Sequence, residues 1–356
     1  MDNHNNPFSD LAIESDLQTI SAPVFIEANT LPVSMNELLY GCTIPVFAKD
    51  NEAAISHHEF IEAVLDGVSA FYHSNDPVIR VSHPVKGRIP EARHKKANDL
   101  ESHEETLYYE RMMFAIEIPS VKRMIGDDEL TLTIGGVKSY HLENLHSKKS
   151  LEKFKLFIGF KNRVCCNLCV WTDGIVDDLR VFSVDEITQR TKQMIREFEP
   201  QATLDQFERW QNINLTEQQF AEFIGRCRMY LYMPKEEKLL LPKLEFGDSQ
   251  INQVVEGYYN DPNFSRTGGV INLWRLYNLF TGANKSSYID RLLDRGVNAS
   301  SLCKYPIFRT GLKFCANVIF EIHKSKNVVF NIFFIVYETR LDVCFMLIWK
   351  ILKNYR

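Results

Sequence analysis

Apolar residues recur at helical spacing in several segments, and segment 56–73 shows the pattern most clearly. Ser56 and Glu59 form a capping-box signature, in which the serine side chain accepts from the third helical amide and the glutamate reaches back. One apolar face follows, made of Phe60, Val64, Val68 and Phe71. Similar signatures at Ser183 and Thr216 predict two more helices, and further helices are predicted at 249–259, 271–280 and 287–295.

Between Val78 and Trp171 the apolar pattern changes to the alternation that is typical of strands. Strands are predicted at 78–81, 108–118, 130–134, 154–160 and 164–171. We expect Pro119 to end the second strand and Gly135-Gly136 to form a tight hairpin turn, because glycine accepts positive φ angles.

The segments between these strands are expected to be irregular. Residues 161–163 are predicted to form a second hairpin turn, and residues 84–99, rich in proline and lysine, to form a loop. After Gly174 the chain is expected to become helical.

This order of elements predicts an α+β fold. Strands dominate the first half and helices the second, as expected for an antiparallel sheet packed with helices rather than for alternating βαβ units. We expect a sheet of roughly four to six strands, packed with helices from residues 56–73 and 183–295. Residues 36–299 would form a single α+β domain, strand-rich over 78–172 and helical over 183–299.

The two ends of the chain differ from this central region. Residues 1–35 are polar without a sustained period, so we expect a disordered or loosely attached segment. Residues 300–356 are apolar and basic, and this atypical composition suggests a frame-shifted or foreign tail. Its longest apolar run, 328–337, is much shorter than the roughly 20 residues of a bilayer span, so no membrane partner is expected.

Charge is distributed unevenly along the chain. The chain has 41 Lys/Arg and 46 Asp/Glu residues, of which nine basic and three acidic residues lie in 300–356. Residues 1–299 therefore contain 32 basic and 43 acidic residues, a net charge of −11. Nucleic acid therefore cannot be bound by overall charge, and phosphate contacts would need a local cationic patch. Eight irregularly spaced cysteines and a polar N-terminus predict reduced thiols and a cytoplasmic location.

Metal-ligating residue types are present but scattered. Cys166 and Cys169 have the spacing of a zinc or redox pair, but no second pair accompanies them, so buried core cysteines are the better interpretation. Several histidines and glutamates lie near one another without forming a His-Glu-x-x-His motif: His57, His58, His83, His94, His103, Glu104, Glu105 and Glu110.

A group of aspartates follows the last predicted strand. Asp173, Asp177 and Asp178 surround Gly174, and they fit a solvated turn better than a calcium loop. We predict no catalytic residue and no cofactor. The weak metal candidates are His83, Glu110 and Asp173.

The string Gly282-Ala283-Asn284-Lys285-Ser286 invites comparison with a phosphate-binding loop. Tyr277 stands where the first glycine of such a loop should be, and lysine does not directly follow Gly282, so nucleoside triphosphatase chemistry is excluded. A weaker hypothesis remains: Ser286 caps the next helix, whose free amides bind a phosphate together with Lys285.

Basic residues near aromatic ones give a further indication of nucleic-acid binding. One group lies at the edge and turn of the predicted sheet, near Tyr140 and Trp171: Lys148, Lys149, Lys153, Lys155, Lys161 and Arg163. A second places Arg226 and Arg228 on a predicted helix with Tyr230 and Tyr232. Such surfaces can hold a phosphate backbone and stack bases, although solvated lysines explain the pattern equally well.

From these patterns we select a set of candidate nucleic-acid contacts. The phosphate ligands would be Lys86, Arg88, Lys161, Arg163, Arg226, Arg228 and Lys285, and the stacking surface would be Trp171.

Several long strings carry a family resemblance. They include residues 42–47 (CTIPVF), 56–64 (SHHEFIEAV), 80–88 (RVSHPVKGR), 108–112 (YYERM), 130–137 (LTLTIGGV), 164–169 (VCCNLC), 216–221 (TEQQFA), 225–230 (GRCRMY) and 281–290 (TGANKSSYID). Over about residues 36–299 the chain resembles the family of domain of unknown function 3871, from bacterial plasmids and conjugative elements. The resemblance implies a mobile-element setting and no particular reaction, and from Ser300 the chain departs from the family pattern.

Three functions remain open at this point. The first is a non-enzymatic accessory protein of a mobile genetic element that binds single-stranded or duplex DNA. The second is a metal-dependent enzyme acting on nucleic acid through His83, Glu110 or the aspartates near 173. The third is a protein-interaction module that targets a host factor and attracts it with its acidic surface.

Overall fold

The computed structural model describes residues 33–41, 55–72, 78–82, 84–95, 99–139, 152–163, 167–239 and 241–304. Within the strands, only the backbone is described for residues 107–110, 152, 171–173 and 177. All of these residues belong to one compact unit that extends to Pro306. The predictions for residues 1–32 and for the tail beyond Lys304 lie outside the described residues.

Six of the described strands form one antiparallel sheet. Their bounds are β1 Val78–Val81, β2 Val85–Arg88, β3 Glu105–Ile125, β4 Asp128–Ser139, β5 Glu152–Asn162 and β6 Leu168–Val181. The order is β1-β3-β4-β5-β6, and β2 pairs with β3. The predicted antiparallel sheet in the first half of the chain is confirmed.

Helices and a small second sheet make up the rest. The helices are α1 Met35–Gly41, α2 His57–Ser69, α3 Val184–Glu197, α4 Pro200–Gln211, α5 Glu217–Met229, α6 Lys235–Lys238, α7 Asp248–Asn260, α8 Leu273–Asn284 and α9 Ile289–Lys304. Strands β7 (Asn214–Thr216) and β8 (Val270–Asn272) pair with each other. The α+β prediction is confirmed.

Local capping explains where the predicted helices begin. Ser56 and Thr216 each accept from the third amide of their helix, and Glu59 and Gln219 return the bond, so both capping boxes are complete. Ser183 accepts from the amide of Glu186 in the same way. The helix α4 was not predicted.

Helices cover both faces of the sheet. On one face the ring of Phe60, in α2, lies 5.1 Å from that of Phe114 in β3 and 4.7 Å from that of Phe154 in β5. On the other face α9 contributes Ile289, Leu292 and Leu293 to an apolar cluster with sheet residues Val85, Met113, Ala115, Val137, Phe157 and Val170. The sheet therefore forms the middle layer of the core.

The predicted hairpin turn at Gly135-Gly136 is wrong. β4 runs through both residues, and the turn before it uses Gly126, which has a φ of 60°. A Cβ at Gly135 would collide with the carbonyl oxygen of Phe114, and one at Gly136 would meet the ring of Phe60 at 2.5 Å. These glycines permit close packing of neighbouring strands and of α2.

Pro119 does not end its strand, contrary to the prediction. β3 continues to Ile125, and its pairing with β4 shifts register between Ile118 and Lys122. Pro119 falls within this irregularity, and β1 pairs with β3 only as far as Glu117. Proline is tolerated there because no ladder hydrogen bond is required of it.

Three other predicted boundaries move. Residues 84–99 contain β2 and a 3₁₀ turn at Pro90–Ala92 instead of a continuous loop. Lys161 and Asn162 lie inside β5, so the hairpin turn begins after them. β6 continues beyond Gly174 to Val181, so the predicted aspartate turn is part of a strand.

Two helix ends also differ from expectation. α2 ends at Ser69, so Phe71 lies beyond the helix and is exposed, outside the apolar face to which it was assigned. α9 continues past Ser300 to Lys304, and Leu302 and Cys303 are buried. The packed helix thus extends into the segment whose composition is atypical.

Candidate nucleic-acid interface

Two of the predicted phosphate ligands lie on β2. The ammonium of Lys86 lies 2.9 Å from a carboxylate oxygen of Glu105, and Arg88 donates to the backbone carbonyl of Lys95. The pKa of the Glu104 carboxyl lies below its usual range because this carboxyl accepts from the backbone amide of Glu101 and from the ammonium of Lys95, at 2.6 Å. The charge of Lys86 is therefore already balanced within the protein.

Lys161 is buried rather than displayed on a turn. Its ammonium lies 2.5 Å from Oε1 of Glu117, the same oxygen that Nε of Arg80 contacts at 2.5 Å. The Lys161 side chain is 5% exposed, so it cannot reach a phosphate without leaving a buried partner. Its assignment as a phosphate ligand conflicts with this geometry.

Arg163 remains exposed but has a partner. It donates to Oε1 of Glu129 at 2.6 Å, and Lys122 contacts the same oxygen at 3.2 Å. Hydrogen bonds from Arg163 and Lys122 hold the pKa of Glu129 below its usual range. Local charge at this end of the sheet is thus shared between cations and a carboxylate.

Two other members of the sheet-edge group have carboxylate partners. Lys153 pairs with Asp178 at 3.2 Å, and Lys155 pairs with Asp294 of α9 at 3.0 Å. The remaining members lie outside the described part of the chain (Tyr140, Lys148 and Lys149) or have no described side chain (Trp171). Lys153 and Lys155 therefore have partners within the protein.

Lys285 lies at the end of a helix rather than at the start of one. It is the C-cap of α8, and the hydroxyl of Ser286 donates to the carbonyl of Ala283 at 2.8 Å. The carbonyl end of a helix carries partial negative charge, which opposes phosphate. The hypothesis that Ser286 caps the next helix is therefore wrong, since α9 begins only at Ile289.

The metal candidates receive no further support. His83 lies outside the described residues, and the side chains of Glu110 and Asp173, in β3 and β6, are not described. Among the residues that are described, no three His, Cys, Asp or Glu side chains form a metal-binding group. Asp178 is held by Lys153 and Arg180, which lower the pKa of its carboxyl.

Buried histidine and cysteine side chains belong to the core. His57 is fully buried at the start of α2, and burial together with the charge of Lys138 lowers its pKa to about 3. Cys169, Cys227 and Cys303 are buried free thiols. Burial raises the pKa of the Cys227 thiol to about 12, so it does not form a thiolate near neutrality.

The end of α5 and the helix α6 carry exposed cationic, aromatic and apolar side chains. We define the α5–α6 surface as the exposed or half-exposed side chains of Arg226, Arg228, Met229, Leu231, Tyr232, Lys235, Lys238 and Leu239. Tyr232 is 87% exposed, Leu239 85%, Met229 61% and Leu231 59%. Exposed cations, an exposed aromatic ring and exposed apolar side chains thus lie along one short stretch of the chain.

Two cations of the α5–α6 surface bind neutral groups. Arg228 donates to the side-chain oxygen of Asn252, and Lys238 donates to the carbonyl of Leu231 at 2.9 Å. Within the described residues, none of Arg226, Arg228, Lys235 and Lys238 forms an ion pair. Residues 226–239 contain four cations and two carboxylates, a local net charge of +2 in an acidic chain.

Local sequence explains the shape of this surface. The apolar face of α5 is buried through Phe220, Phe223, Ile224 and Cys227. A 3₁₀ turn at Tyr230–Tyr232 follows, and Pro234 starts the single-turn helix α6. The ammonium of Lys238 lies 5.5 Å from the ring centre of Tyr230, so that ring is covered while Tyr232 stays open.

The chain after α6 is fastened to α9. Asn298 accepts from the amide of Glu245 at 3.0 Å and donates to the carbonyl of Lys243, and Arg295 donates to the carbonyl of Glu245 at 2.8 Å. These hydrogen bonds hold residues 243–245 against α9, and the buried face of α5 fixes the start of the α5–α6 surface.

The structure places the predicted contacts on different elements. Lys86 and Arg88 lie on β2, Arg163 follows β5, Lys285 ends α8, and Arg226 and Arg228 end α5. The sequence pattern had grouped Arg226 and Arg228 with Tyr230 and Tyr232, but it missed Lys235, Lys238 and the apolar neighbours. The cluster of Met229, Leu231 and Leu239 just after a helical pattern was the available signal.

Comparison with family models identifies the class to which this α+β chain belongs. The model described as "Domain of unknown function, B. Theta Gene description (DUF3871)" matches residues 10–310, and the chain belongs to this family. The match extends beyond residues 36–299 at both ends. Neither the curated proteins nor the solved structures give a significant match. Among the described residues, no helix is long and apolar enough to cross a bilayer.

Proposed function

We propose that this protein is a non-catalytic DNA-binding accessory protein and that the α5–α6 surface is its contact with DNA. One observation carries the proposal: four cations without ion-pair partners among the described residues lie within six positions of an aromatic side chain that is 87% exposed. Cations without a carboxylate partner can release counterions from a phosphate backbone without first breaking an internal ion pair. The mobile-element setting is proposed from the family resemblance alone.

Charge balance supports the same choice of surface. Among the candidate cations on the sheet or directly after it, Lys86, Lys161 and Arg163 each face a carboxylate within 2.9 Å, whereas Arg88 donates to the backbone carbonyl of Lys95. Phosphate would have to compete with those carboxylates. Arg226 and Arg228 also complement the negative end of the α5 dipole, a structural role that leaves their outward donors available.

Fluorescence anisotropy of the full chain with labelled single-stranded and duplex DNA, at low and moderate salt, tests this proposal. Binding should weaken as salt rises, and Arg228→Ala combined with Lys235→Ala should lower the slope of log K against log salt by about two. A matched control removes two charges from α3 through Arg190→Ala and Lys192→Ala, and should leave the slope unchanged. Absence of salt-dependent binding to either form of DNA would remove the proposal.

A protein partner is the second candidate, favoured by one specific observation. Met229, Leu231 and Leu239 expose more than half of their side chains on the same surface. Exposed apolar patches of this kind are typical of protein–protein interfaces. Loss of binding to a co-purifying protein on Leu239→Asp, with no affinity for DNA in the parent chain, would favour this function instead.

A further inference from the structure

We infer that the α5–α6 surface selects single-stranded over duplex DNA, with Tyr232 as the residue on which a base stacks. This inference rests on the proposed function and adds the form of nucleic acid and the residue that determines it. It follows from what the ring of Tyr232 can touch, from the neighbours of that ring, and from the shape of the surrounding elements.

The ring of Tyr232 is the open aromatic surface of this region. It is 87% exposed on a 3₁₀ turn, whereas Tyr230 is partly buried with the ammonium of Lys238 lying 5.5 Å from its ring centre. A base offers its face to a side chain only when it is unstacked, as in a single strand. In a duplex those faces are covered by the neighbouring base pairs, so stacking on Tyr232 would require strand opening.

Apolar side chains beside the ring reinforce this preference. Leu231, Leu239 and Met229 are all more than half exposed, and they gain free energy only if a partner covers them with apolar surface. Unstacked bases provide such surface. The outside of a duplex presents mainly phosphates and sugars, which would leave these side chains in water.

The segment that carries Tyr232 is poorly suited to reading a duplex. The major groove admits an α-helix or a two-stranded ribbon. Tyr232 lies on a single 3₁₀ turn, the helix α6 that follows is four residues long, and α5 contributes only side chains of its last turn to the surface. Arg228 and Lys235 flank Tyr232 in sequence and can track a flexible backbone as the phosphate contacts of a single strand.

Competition binding tests the inference with three defined probes: labelled oligothymidine, a duplex of the same length, and an abasic oligomer with the same phosphates. The full chain should bind oligothymidine at least about tenfold more tightly than the other two, because stacking adds to the phosphate contacts. Tyr232→Ala should weaken binding to oligothymidine roughly five- to a hundredfold while leaving duplex and abasic binding unchanged. Tyr232→Phe keeps the ring and should bind as the parent does.

The outcomes separate this inference from the proposed function. Equal affinity for oligothymidine and duplex, or equal effects of Tyr232→Ala on every probe, would overturn single-strand selection while salt-dependent binding still supported DNA binding. Loss of selectivity in Tyr232→Phe would overturn the role of stacking. No binding of any probe by the parent chain would overturn both, and would leave a protein partner as the occupant of the surface.

Discussion

His57 should make the stability of this protein depend on pH in a defined range. It is the first residue of α2, fully buried, and its pKa is lowered to about 3 first by burial and then by the charge of Lys138. The unfolded chain should titrate near the ordinary histidine value of about 6.5. Between these two values the unfolded state binds a proton that the folded state rejects, so folding loses stability as pH falls.

The size of the effect follows from the two pKa values. A pH of 5 is about 1.5 units below the pKa of His57 in the unfolded chain and about two units above its pKa in the folded protein. One unit is worth about 1.4 kcal/mol, so His57 alone should cost about 2 kcal/mol between roughly pH 7.5 and pH 5. The stability that neutral His57 contributes is fully present above the pKa of the unfolded chain and is lost progressively as the pH falls toward the pKa of the folded protein.

Urea unfolding followed by circular dichroism, at both pH values, measures this loss. The parent chain should lose about 2 kcal/mol more than His57→Gln, in which the titrating group is absent. His58→Gln serves as the matched control because it removes a histidine from the same turn, one that is paired with Glu62 near the surface. Identical pH dependence in the parent and His57→Gln would contradict the view that His57 is buried and neutral.

Three further predictions concern packing and charge. Gly135→Ala should lower the free energy of unfolding by about 3 kcal/mol or more, because the new Cβ would collide with the backbone of a neighbouring strand. Gly225→Ala, in open space on α5, should raise the free energy of unfolding by about 0.5–1 kcal/mol, and urea unfolding measures both changes. The buried Cys227 thiol should resist alkylation at mildly alkaline pH until urea is added, as read by site-resolved mass spectrometry. Lys161→Met should cost about 2 kcal/mol of stability, since Glu117 loses its buried ammonium partner but keeps Arg80, and it should leave DNA affinity unchanged; urea unfolding and fluorescence anisotropy measure the two effects.

Helix starts were predictable because their causes are local. Ser56 with Glu59, and Thr216 with Gln219, interact within a single turn, and the structure contains both pairs of bonds. Predictions of turns and strand ends in the sheet were wrong because these features depend on residues far away in the sequence. Gly135 needs no side chain because Phe114, in a neighbouring strand, approaches its backbone.

The same distinction explains the candidate site. The partner of Lys161 is Glu117, 44 positions earlier in the chain, so neither its burial nor its ion pair could be read from the lysines around it. Arg228 and Tyr232 are close in sequence, so the sequence alone shows that they are neighbours. It does not show that their side chains are exposed, because exposure depends on where α5 ends and on which ring Lys238 lies against.

Hydrogen exchange of the full chain with and without saturating oligothymidine would locate the DNA contact. Contact at the α5–α6 surface predicts slower exchange over residues 226–239 on binding, with the segments around Lys86 and Arg163 unchanged. Protection at β2 or at the end of β5, with none at 226–239, would place the contact elsewhere. No protection anywhere would contradict DNA binding itself.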